Sequence, residues 1–192
     1  MDYILQLDKN IFYILNTKVT ASFLDFFMPF ITTKANFINI IILAWLTIFA
    51  LGRWKDRKAL IFVVAAVLLS DLATDVLKNI IHRIRPCNAF DDVRILAGCT
   101  KSFSFPSGHA TNVFAAAVYL SYTYRRYALI FFVPAFLVAY SRVYVGVHYP
   151  LDVMGGALVG SSGAVLAIAA DRRLMPAIVA WFNKKYRLKA EG

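Results

Sequence analysis

Apolar residues in this chain come in long runs separated by short polar breaks, a pattern of helices that cross a bilayer rather than of strands or soluble amphipathic helices. One crossing takes about 20 mostly apolar residues. Five stretches meet or approach that length: Ala35–Gly52, Ala59–Ile81, Gly108–Tyr124, Tyr127–Val145, where Pro134 is expected to kink the helix, and Pro150–Ala170. The last is rich in small residues, and its Gly156 and Gly160 have the G-x-x-x-G spacing that permits close helix approach. Before them, Tyr3–Leu15 sets Ile4, Leu5, Ile11, Phe12, Ile14 and Leu15 among Asp8, Lys9 and Asn10, and Phe23–Ile31 is apolar but short. Both read as helices lying in the membrane interface. A sixth, tilted span is the alternative. The expectation is an all-α integral membrane protein: interfacial helices over 1–34, a bundle of five (alternatively six) transmembrane helices over 35–170, and a basic tail over 171–192.

Composition agrees with this pattern. Hydrophobic residues make up 60% of the 192, far above a soluble domain. The formal net charge of +10 would also suit a nucleic-acid binder, but the cations are spread between apolar runs instead of gathered on one soluble face. Lipid headgroups are the better partner for such loops. Met1–Thr17 lacks a basic segment followed by a clean apolar core, so no cleavable signal peptide is expected. Lysine and arginine concentrate in the 53–58 loop, the 125–126 turn and the C-terminal tail, which places that side in the cytoplasm. The 82–106 loop then faces outward, into the periplasm of a Gram-negative cell. Its Cys87 and Cys99 are the only cysteines, and an oxidising compartment would let them pair. Two unpaired thiols are the other reading.

Polar residues at membrane depth are candidates for function, and they fall in three clusters at outward helix ends. In the first, Lys78 precedes Arg85 by two helical turns and Pro86 follows, so a continuous helix would aim both cations one way and Pro86 would stop it. Arginine grips a phosphate bidentately. In the second, Pro106, Ser107, Gly108 and His109 open an apolar run, offering backbone N–H groups, a hydroxyl and an imidazole to an anion. In the third, Arg142 ends a helix, and His148 stands four residues before Asp152. Such a carboxylate can fix the imidazole tautomer and leave the other ring nitrogen as a nucleophile. Singly, these are a basic helix end, a cap and a structural hydrogen bond. Together they hold what phosphoryl transfer requires, namely positioned cations with a nucleophile and an acid. No carboxylate cluster suited to magnesium or calcium accompanies them, so neither metal nor other cofactor is expected.

Lys78-x6-Arg85-Pro86, Pro106-Ser107-Gly108-His109 and Ser141-Arg142-x5-His148-x3-Asp152 follow, in order, the three-part signature of the type 2 phosphatidic acid phosphatases, and the chain resembles small bacterial members of that superfamily. The resemblance implies that His148 attacks phosphorus to form a phosphohistidine, Asp152 orients it and His109 protonates the leaving oxygen. It further implies that Lys78, Arg85, Ser107, the Gly108 backbone and Arg142 hold the phosphate oxygens. The implied setting is the bacterial inner membrane, with the site facing outward. Implied substrates are lipid A 1-phosphate or undecaprenyl pyrophosphate first, then phosphatidylglycerol phosphate or phosphatidate. His82 matches no signature position, and Asp71 and Asp75 read as structural partners inside the bundle. Two other classes share the features. Soluble vanadate haloperoxidases are larger and lack the spans, and a mere phospholipid binder or transporter would not need the nucleophile and acid.

Overall fold

A computed structural model describes residues 2–190, with side chains as far as residue 176. The described residues are helical and irregular, without strands. In chain order the helices are α1 (Asp2–Tyr13), continued by a wide turn over Ile14–Lys18, α2 (Ser22–Thr32), α3 (Ala35–Leu51), α4 (Trp54–Ile81), the single turn α5 (Pro86–Ala89), α6 (Gly108–Thr123), α7 (Ala128–Tyr144) and α8 (Pro150–Ala190). Pro134 lies within α7, and α8 runs on past residue 170. The expected interfacial placement of Lys184, Lys185, Arg187 and Lys189 lies outside the described side chains.

Among the described residues, three segments are long and apolar enough to cross a membrane: Trp54–Ala89, Arg125–Tyr144 and Pro150–Pro176. Helices α2 and α3 meet that test only as a pair, bent by 48° at their break, which makes up to four. The five or six spans expected from the sequence are thus not matched helix for helix, because α3 has 17 residues and α6 only 16. The short α6 instead fills the middle of the bundle, between α4, α7 and α8.

Small residues make that packing possible. Ala59, Ala66, Ala115, Ala164 and Ala167 are buried around Phe62 and Tyr119 where α4, α6 and α8 meet. A Cβ on Gly156 would stand 2.5 Å from the Ser107 carbonyl oxygen, and one on Gly160 would collide with the Thr111 carbonyl of α6. Gly163 likewise faces Ser70 of α4. In lipid, where apolar side chains gain nothing by leaving the solvent, such backbone proximity is what joins helices. Large apolar side chains such as Leu43, Leu129, Ile130 and Leu166 point outward, as lipid-facing residues would. The 82–107 loop closes one end of the bundle and carries the disulfide Cys87–Cys99.

One expectation is corrected here. The helix bearing Lys78 does not continue to Arg85. It ends at Ile81, where His82 turns left-handed with φ 52°, and Pro86 starts α5 rather than stopping α4. Proline suits a first helical position because its missing N–H has no partner there anyway.

Candidate functional site

At the end of the bundle closed by the 82–107 loop lies a cavity of about 250 Å³. Lys78 reaches it from the last turn of α4, Arg85 from the residue before α5, Gly108 and His109 from the start of α6, Arg142 from the last turn of α7 and His148 from the α7–α8 connection. Of the residues singled out in the sequence, Ser107 and Asp152 sit just behind this wall, both fully buried. Asp71 and Asp75 line the cavity two turns and one turn from Lys78, so they face the site instead of serving only the bundle interior. His82 stays outside, its ring edge-on to Phe103.

The connection carrying His148 is fixed by its backbone. Val147 and His148 both donate to the Arg142 carbonyl oxygen at 3.2 Å, which folds the chain back over the end of α7. Gly146 makes the turn at φ 86°, where its α-carbon faces the Arg94 carbonyl too closely for any side chain. Residues 143–149 are buried, so the imidazole is only 1% exposed.

His148 has its two nitrogens in different surroundings. Arg85 Nη1 lies 3.0 Å from Nε2. Because a guanidinium only donates, Nε2 must be the accepting nitrogen and the proton of the neutral ring must sit on Nδ1. Nδ1 faces Ser104 Oγ at 3.3 Å and Asp152 Oδ2 at 3.6 Å. Asp152 is therefore near the ring but beyond direct hydrogen-bond length, with the Ser104 hydroxyl donating to its Oδ2 at 2.5 Å between them. Burial pushes the imidazole down to about 4, against the opposing pull of the Asp152 carboxylate and with the help of Arg85. The ring is thus neutral, with its lone-pair nitrogen accepting from Arg85.

The cations are arranged for an anion. Arg85 is locked in place, Nε donating to the Ser102 carbonyl at 2.8 Å and Nη2 to Ser102 Oγ at 2.9 Å. Arg142 donates from Nη1 to Thr32 Oγ1 at 2.6 Å, while its Nε is buried without a partner. Among the described residues neither arginine has a carboxylate within ion-pair distance, although both are more than nine-tenths buried. A buried guanidinium without a counter-charge is costly, and it complements an anion brought into the cavity. The Ser107 hydroxyl is also buried and unbonded at the start of α6.

Several contributors escape the sequence patterns. Ser102 and Ser104 lie in an irregular loop with no periodicity to mark them. Thr32 and the cavity-lining Lys34 come from the α2–α3 break. Arg83 and Asp8 form ion pairs behind Asp152. For Asp8 a signal did exist. It falls on the same stripe of α1 as Ile4, Ile11 and Phe12, and a charge on an apolar stripe calls for a buried partner.

The family profile described as the PAP2 superfamily matches residues 59–176. A lipid A 4'-phosphatase of Porphyromonas gingivalis is 36% identical over 171 residues, covering 83% of this chain and 71% of the relative. An undecaprenyl-diphosphatase of Sulfolobus acidocaldarius is 37% identical over 115 residues, covering 59% of this chain and only 56% of the relative. Among solved structures, LpxE of Aquifex aeolicus superposes with a TM-score of 0.70 at 27% identity, over 85% of this chain and 95% of that one. A PAP2-type phosphatidylglycerolphosphate phosphatase of Bacillus subtilis gives 0.71 at 26% identity, over 90% and 88%.

Proposed function

The chain belongs to the PAP2 superfamily, and from that premise we propose that it is a membrane phosphatase that hydrolyses a lipid phosphate through a phosphohistidine at His148. One observation carries the mechanism: a neutral imidazole whose lone-pair nitrogen faces a cation-lined cavity, 3.0 Å from a fixed guanidinium. Nε2 attacks phosphorus as the bond to the lipid oxygen breaks, and His109 gives that oxygen its proton. Water then attacks the phosphohistidine, giving a proton back to His109, as phosphate is released and the ring restored. Arg85, Arg142, Lys78, the Ser107 hydroxyl and the Gly108 N–H spread the charge of the transferring phosphoryl group, the main source of catalysis in such reactions. These cations take the part that a divalent ion plays elsewhere, so no metal is required.

Two lipids lead as substrates. A lipid A phosphate is favoured by the P. gingivalis relative, which aligns with most of both chains, and the 1-phosphate was the position expected from the sequence. Undecaprenyl pyrophosphate is the second reading, supported by the S. acidocaldarius relative and by Lys34, a further cation at the cavity that could meet a second phosphate. We place the site on the outward face of a bacterial inner membrane, following the charge bias of the loops.

The test is phosphate release by detergent-purified protein, offered lipid A, undecaprenyl pyrophosphate, phosphatidylglycerol phosphate and phosphatidate with EDTA present. Fast turnover of one lipid, and none by a folded His148→Ala variant, is the expected result. Inactivity of the folded wild type on all four, or a strict need for magnesium, would defeat the proposal and return weight to a lipid-binding role.

A further inference from the structure

Asp152 is fully buried, yet its strongest partner is not the histidine it is supposed to orient. Arg83 Nη1 donates to Asp152 Oδ1 at 2.7 Å. The backbone carbonyl of the same Arg83 accepts from Ser104 N at 2.7 Å, and Ser104 Oγ in turn donates to Asp152 Oδ2. Arg83 therefore bears on both oxygens, the first through its side chain and the second through the serine that it fixes, while the Tyr149 N–H also donates to Oδ2 at 2.9 Å. Its other guanidinium nitrogen, Nη2, donates to Asp8 Oδ2 at 2.5 Å, and the guanidinium lies 3.9 Å over the Tyr149 ring. Asp8, whose side chain has no exposed surface, accepts from Leu151 N at 2.9 Å, one residue before Asp152.

The charges explain why such a chain is needed. Asp8 and Asp152 are two carboxylates buried near each other, and Arg83 is the cation between them. Without it the low dielectric would not tolerate both as anions. His148, Arg85 and Tyr149 are further titratable groups coupled to Asp152. When His148 takes the phosphoryl group its ring becomes cationic, and an ionised Asp152 held at the correct angle lowers the energy of that state. A carboxylate free to rotate or to accept a proton would not.

We infer that Arg83 is a positioning residue for the hydrolytic reaction, acting through Asp152 and Ser104 on His148, and that Asp8 on the N-terminal helix braces it. This rests on the phosphohistidine reading above. It also makes α1 part of the catalytic apparatus instead of only a membrane-surface anchor.

The experiment is a double-mutant cycle on the full-length protein in detergent, using radiolabelled substrate so that residual turnover can be measured. Arg83→Ala should lower kcat about 100-fold with KM within about 3-fold, the cost of a misplaced reacting group. In an Asp152→Asn background the same change should cost less than about 3-fold, because its route of action is already cut. Arg83→Lys, which keeps the charge, should recover to within about 10-fold of wild type. Asp8→Asn, which retains an acceptor for Leu151 N, should lower kcat less than Arg83→Ala and again add little to Asp152→Asn. If Arg83→Ala fails to fold, the Arg83→Lys and Asp8→Asn cycles decide alone. Equal penalties in both backgrounds, or an effect confined to KM, would show a merely structural tie and overturn the inference. Wild-type inactivity would instead refute the phosphatase reading, which the wild-type control reports separately.

Discussion

His148 is held between a donor that cannot accept and a carboxylate that cannot donate, with a serine hydroxyl bridging the gap to the carboxylate. That pairing fixes the tautomer, and burial fixes the charge. An imidazole in water loses its proton near 6.5, whereas here the neutral form persists down to about 4. The sign follows from the cost of charge in a dry site: burial disfavours the cation, and the lower value means less protonation at any given pH. At pH 6 only about one molecule in a hundred should carry a protonated His148, against most molecules for a free histidine. Nitrogen-15 NMR of histidine-labelled protein, assigned with His148→Ala, should therefore show a neutral ring protonated on Nδ1 at pH 6. A signal that titrates near 6.5 would contradict this environment. Arg85 depends on the same neighbourhood, since Ser102 holds it from the far side of the disulfide-closed loop.

At the scale of elements, the site depends on helix ends meeting at one level. The start of α6 must sit against α8 for Ser107 and His109 to face His148, and the Ser107 N–H donates to the Asp152 carbonyl at 2.9 Å to tie the two helices. Gly156 and Gly160 set that approach. Gly160→Val would push its side chain into the Thr111 carbonyl. It should cost about 2–3 kcal/mol, as overpacking does, and visibly lower the unfolding temperature in detergent. Gly98→Ala, where an added Cβ meets nothing within 4 Å, should stay within about 0.5 kcal/mol of wild type. Equal tolerance at both positions would mean that α6 and α8 do not pack through these glycines. The break between α2 and α3 matters in the same way, because Thr32 at its edge holds Arg142 and Lys34 lines the cavity.

Taken as a whole, the molecule shows which parts of a site sequence patterns can reveal. The residues Lys78, Arg85, Gly108, His109, Arg142 and His148 converge on one cavity although they are spread over more than 70 positions of the chain because each sits at a helix end or loop whose apolar run could be read directly. The second layer was harder to read. Ser104 and Arg83 lie in an irregular loop, and Asp8 and Thr32 belong to a segment that looks separate because neither α1 nor α2 is long enough to span. The turn at His82 was also hidden, since nothing in Lys78–Arg85 resembles a helix stop and the left-handed residue is not glycine. Length and composition alone do not fix the span count: α6 packs among α4, α7 and α8, and its 16 residues fall short of the about 20 of a full crossing.

The most direct test of the account is to trap the covalent intermediate. Detergent-purified enzyme mixed with phosphorus-32-labelled lipid substrate in EDTA, and quenched within milliseconds, should yield protein-bound label that survives alkali, is lost in acid and maps to the peptide containing His148. His148→Ala should carry none. Rapid lipid turnover with no label on the wild-type protein, or label that persists in His148→Ala, would contradict a phosphohistidine mechanism at this residue.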